Sequence, residues 1–81
     1  MPTFMDHHPQ FPKPEGEQLE RLRRQIEAPA DDRGVKGINV FFTHDGGAYC
    51  MFDAPDAQAV AAAHSRNGVP VGDIMEITAA V

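Results

Sequence analysis

Two short runs dominated by β-branched and aromatic residues, Val35–Thr43 and Ala48–Asp53, sit either side of His44-Asp45-Gly46-Gly47. Glycine supplies the positive φ that a tight hairpin turn demands, and the flanking composition suits pleated strands. An antiparallel pair in mid-chain leaves few folds open, because everything before and after must pack on it. Upstream, from Glu15, Leu19, Leu22 and Ile26 recur at helical spacing, with Glu17–Arg21 and Glu20–Arg24 as favourable pairs on the outer face. Pro29 ends that helix near Ala28. Downstream, Ala54-Pro55-Asp56 opens a second helix, with proline at its first position and an acid in its first turn. Ala57, Val60, Ala61 and His64 mark one face of it, and Gly68 is placed to end it in the left-handed conformation. Thr3–His8 and Asp73–Ala79 read as strands near the two ends. Pro9, Pro12 and Pro14 keep the segment after the first strand irregular.

The resulting order is β-α-β-β-α-β in one domain spanning residues 1–81. Its simplest right-handed solution is an α+β, ferredoxin-like sandwich. A four-stranded antiparallel sheet in order 4-1-3-2 carries both helices on one face. A sheet covered on one side alternates apolar and polar residues. These strands do not: Phe41 breaks the parity of Ile38, Val40 and Phe42, and Tyr49 and Met51 break that of Cys50 and Phe52. Both faces call for cover. A domain this small buries only roughly 60% of its unfolded surface, so a homodimer packed sheet to sheet is expected.

Charge and composition exclude several classes. The formal net charge is −5, and the basic residues centre on Arg21, Arg23, Arg24 and Arg33. Nucleic-acid binding depends on basic patches at phosphates, and the third strand lacks the basic-glycine-aromatic signature of RNA-recognition domains. No stretch is long or apolar enough to span a bilayer, and the N-terminus does not read as a signal peptide. A single cysteine, Cys50, precludes an internal disulfide framework and fits a reducing cytoplasm.

The remaining polar chemistry is concentrated. The first strand ends in Asp6-His7-His8, the second run in His44, and the second helix in His64. In the expected topology strands one and two run the same way, so these ends and the helix end meet along one edge. Imidazoles with carboxylate or water ligands suit nickel, zinc, copper or iron. His7 and His8 point to opposite faces of a strand, so one would serve the helix side and the other the dimer side. Each residue also has a purely structural use. His64 can pack against the sheet at a helix C-terminus. His44 suits a solvated turn, Cys50 a small buried hydrophobe, and Tyr49 an interface.

The opening Met1-Pro2-Thr3-Phe4-Met5-Asp6-His7-His8, the run Ala48-Tyr49-Cys50-Met51-Phe52-Asp53-Ala54-Pro55-Asp56, His64, Gly68-Val69-Pro70 and Asp73-Ile74-Met75-Glu76-Ile77 resemble a bacterial family. It consists of small ferredoxin-like domains of unknown function and includes a nickel-binding protein. The resemblance implies a βαββαβ homodimer and, for at least some members, divalent metal binding. Matched by position, it points to His8, Cys50 and His64. His7 and the three-proline loop depart from the family's pattern.

Together these readings lead to a cytoplasmic, homodimeric, non-enzymatic protein that binds a divalent metal, nickel first and zinc next, with His8, His7, His64, Cys50, His44 and Asp6 as candidate ligands. The alternative is a dimeric small-molecule enzyme of the cofactor-free oxygenase or isomerase type. It would use Asp6, Tyr49 and His64 as acid–base groups in a pocket between sheet and helices.

Overall fold

The computed structural model describes residues 2–66, 68 and 72–78. The elements are β1 (Thr3–His8), α1 (Glu17–Glu27), β2 (Lys36–Phe42), β3 (Ala48–Asp53), α2 (Ala57–Arg66) and β4 (Ile74–Ile77). All neighbouring strands are antiparallel, in the order β2-β3-β1-β4. This is the expected ferredoxin-like order. Val69, Pro70 and Ala79, expected in a turn and at the end of the last strand, lie outside the described residues. Among the described residues, no helix is long and apolar enough to cross a membrane.

The central hairpin closes through a three-residue loop. The Gly46 N–H donates to the Thr43 carbonyl and the Thr43 N–H to the Gly47 carbonyl, with Gly46 at φ 87°. Only the first of the two glycines needs the left-handed region. Gly47 is required for space: a Cβ there would sit 3.0 Å from the His8 carbonyl oxygen. The turn is thus packed directly against the end of β1.

α2 starts later than its sequence suggests. Pro55 lies two residues ahead of the first helical residue, and Asp56 is the cap, its carboxylate accepting the Ala59 N–H at 2.8 Å. Gly68 ends the helix region at φ 67°. α1 stops at Glu27, just before Ala28-Pro29. The Lys36 ammonium reaches back to the Ile26 carbonyl at 2.6 Å and holds the helix end on β2. Glu20 meets Arg23 at 3.9 Å rather than Arg24, and both side chains are exposed, so the pair adds little stability.

The mixed strand parity has a local cause in β2. The register slips between Gly37 and Asn39, leaving Ile38 as an extra, exposed residue. Beyond the bulge, Val40 and Phe42 share the helix-side face with Cys50 and Ala48, while Phe41 shares the outer face with Tyr49. The core lies between α2 and the sheet: Phe4, Val35, Ala54, Ala59 and Val60 are buried, with Phe52, Ala63 and Ile74 packed against them. α1 contributes no buried residue. The outer face carries two largely apolar rows, Met51-Met5-Met75, with Asn39 beside Met51, and Phe41-Tyr49-His7, which ends in an imidazole. Phe41 is 45% exposed and Met75 46%.

Candidate metal centre

Residues two apart on a strand share a face. Phe4, Asp6 and His8 therefore all point under the helices, and all are buried. Asp6 is fully buried, His8 is 2% exposed and His64 7%. Charged groups this deep persist only when paired or coordinated. The last turn of α2 delivers His64 from above. Its Nε2 lies 2.8 Å from Asp6 Oδ2, and His8 Nε2 lies 2.9 Å from Asp6 Oδ1. One carboxylate is thus gripped by two imidazoles, whose ring centroids stack at 5.1 Å.

The His64 Nδ1–H donates to the Val60 carbonyl at 2.8 Å, one turn back on α2. A carbonyl oxygen can only accept, so Nδ1 holds a proton and Nε2 is the nitrogen offered to Asp6. Facing a carboxylate, Nε2 needs a positive partner: a second proton, or a cation in its place. Burial acts on His64 most strongly and lowers its pKa. The contacts with Asp6 and Val60 more than offset it, and the net shift is upward from 6.5. Anchoring the far nitrogen on a carbonyl is also how metal-bound imidazoles are oriented.

The residues present fit a divalent ion. One donor atom from each of Asp6, His8 and His64 lies within 4.8 Å of the others. Two imidazoles and a carboxylate are the donor set of open-sided transition-metal sites.

Other candidates fall elsewhere. His7 is on the outer face, its ring stacked on Tyr49 at 4.6 Å and 19°. His44 is exposed in the hairpin turn. Its neighbour Asp45 is engaged in the turn, where hydrogen bonds from the Thr43 hydroxyl and the Gly47 backbone hold its carboxyl below the usual range. Cys50 faces the site as the cross-strand partner of Asp6. Burial, then the adjoining Asp6 carboxylate, pushes its thiol up to about 12. Its sulfur is not in the set of donors lying mutually within 4.8 Å. Topology therefore brings together two of the four histidines with Asp6, while pleat direction and turn position keep His7 and His44 apart from them.

Two contributors have weak sequence signals. Phe11, from the proline-rich loop, sets its ring edge-on to His8 at 5.4 Å and is pinned by its N–H to the Gly46 carbonyl. Val60 acts through its carbonyl, and only its spacing of four from His64 hints at that. Beside the site, a cavity of about 460 Å³ separates α1 from the sheet, with His8, Cys50 and His64 at its floor and Leu22, Ile26 and Val40 on its walls.

The family model for nickel responsive proteins of the SCO4226-like type matches residues 4–77. The chain belongs to this family. It is also similar to SCO4226 from Streptomyces coelicolor A3(2), known from a crystal structure. The two share 26% identity with a TM-score of 0.78, over 98% of this chain and 99% of that one. No curated protein matches the chain. The matched span runs from the second residue of β1 through β4 and takes in Asp6, His8, Cys50 and His64.

Proposed function

We propose that this protein is a non-enzymatic, divalent-metal-binding protein, that its metal is nickel, and that Asp6, His8 and His64 hold it. The observation that carries this reading is the buried carboxylate flanked by two imidazole Nε2 atoms, with His64 anchored through its other nitrogen. Nickel, rather than zinc, rests on family membership. The protein acts as a homodimer through the two apolar rows of the outer sheet face. His7 then lies at that interface and not in the buried site. The reducing cytoplasm is its proposed compartment, supported by the unpaired Cys50.

The test is calorimetric titration of chelator-dialysed protein with nickel and then zinc. Saturable binding should appear, and His8→Ala should weaken it far more than His44→Ala. Failure to bind nickel more tightly than about 100 μM, or ~5.5 kcal/mol, would overturn the reading.

The cavity beside His8 and His64 favours one second reading, acid–base chemistry on a small molecule without metal. Tyr49 is on the opposite face of the sheet from Asp6, so Asp6 and His64 would carry it. Turnover of a substrate by metal-stripped protein would favour this reading over the first.

A further inference from the structure

The cleft between α1 and the sheet is built unlike the rest of the molecule. α1 lays Leu19, Leu22 and Ile26 over β2 but buries none of its residues. The space beneath it is about 460 Å³, within the range of roughly 300–1,000 Å³ typical of small-molecule sites. Its walls are mostly apolar, with Gln25 and Asn39 among them, while at its floor the side chains of His8 and His64 are each more than nine-tenths buried. A half-open, mostly apolar cleft with a few convergent polar groups at one end has the build of a small-molecule site.

Charge then selects the ligand. A divalent ion held by one carboxylate and two neutral imidazoles leaves a net charge of +1, and an unbalanced charge in a dry interior is costly. Three protein donors also leave coordination positions open. A monoanion would satisfy both demands. The chain's net charge of −5 disfavours multiply charged anions. The walls reward an apolar body, whose burial there removes apolar surface from water. Asp31 also lines the cleft and keeps its charge, but its Oδ1 accepts the N–H groups of Arg33 and Val35, which ties the carboxylate to its own turn and not to the ion.

We infer that the cleft binds a small organic monoanion with an apolar body, such as an aromatic or short aliphatic carboxylate, whose head sits on the metal held by Asp6, His8 and His64. This rests on the metal reading above. The ion is the electrostatic partner of the head group, and the wall between Leu22 and Val40 selects the body.

Benzoate is a suitable probe, with acetate as a head lacking a body and benzamide as a body lacking charge. Each is titrated into nickel-loaded and metal-stripped protein and followed by calorimetry. Paramagnetic broadening of the benzoate ring protons by nickel reports their closeness to the ion. Benzoate should bind the loaded protein at least about tenfold more tightly than the stripped one, and more tightly than acetate or benzamide. Leu22→Trp, which fills the cleft from its exposed wall, should remove benzoate binding while nickel still binds. Equal benzoate affinity with and without nickel, or equal affinity for acetate, overturns the inference. So does benzoate binding that appears only in Cys50→Ala, since the thiolate would then be the balancing charge. Failure of the nickel titration itself sinks the metal reading and this inference together. Nickel binding without benzoate binding sinks only the inference.

Discussion

At the scale of single residues, Asp6 decides the chemistry. Among the described residues it is the one fully buried carboxylate, and both imidazoles contact it. Asp6→Asn keeps the shape and removes the charge. Nickel affinity should fall by at least about tenfold, ~1.4 kcal/mol, in the same calorimetric titration. His64 supplies a pH signature. Its pKa is raised in the folded, metal-free protein, so the fold holds that proton more tightly than the unfolded chain does. The stabilisation is fully present below the unfolded value of 6.5 and is lost as pH rises through the folded value. The thermal midpoint of metal-stripped protein should therefore drop as pH rises through that window, and Asp6→Asn should flatten the profile. Nickel competes for the same nitrogen, so its affinity should climb over the same window with release of a proton. Calorimetry in two buffers of different ionisation enthalpy measures that proton.

At the scale of elements, the site depends on how β1, the β2–β3 turn and α2 are locked together. Gly47 is the contact between turn and β1. A Cβ there meets the His8 carbonyl at 3.0 Å and the Thr43 hydroxyl at 3.1 Å, so Gly47→Ala must displace backbone. Nickel affinity should fall more in Gly47→Ala than in His44→Ala, although Gly47 offers no ligand. α2 delivers His64 and is held at its start by Asp56. Asp56→Ala should cost about 1 kcal/mol of stability, read by urea denaturation, with nickel affinity in the folded state little changed. Glycines, proline and acid at these positions were legible in the sequence as turn and cap signals. The Asp56 cap was displaced from its expected first-turn position because a cap is defined by which N–H its carboxylate reaches. Spacing alone cannot separate the cap from the first turn.

At the scale of the whole molecule, the outer sheet face is the outstanding demand. Met5, Met51 and Met75 form one row and Phe41, Tyr49 and His7 the next, and this partly exposed face is the one through which the proposed dimer would pair. The proposed dimer is expected to dissociate on Met75→Glu, which places a charge at the edge of the methionine row. Light scattering after size exclusion would show the change from twice the 8.8 kDa chain mass to once. A native protein already monomeric at micromolar concentration would remove the dimer. Nickel at a hundred times its dissociation constant should stabilise the fold by about 2.7 kcal/mol, read as a rise in thermal midpoint.

The periodicity of Leu19, Leu22 and Ile26, the Gly46-Gly47 turn and the proline stops determine the element order unaided, because local backbone preferences act within a few residues. The order in turn leaves one simple strand arrangement, 4-1-3-2, and that is the arrangement observed. Which histidines meet was a different matter. Strand alternation puts His7 and His8 on opposite faces and the family resemblance favours His8, but only the packing of β1 within the sheet turns His8 inward with Asp6 and His7 outward onto Tyr49. The bulge at Ile38 and the looseness of α1 over its cavity were equally hidden. They arise from contacts between residues distant in the chain, which compete for the same space only after the sheet has formed.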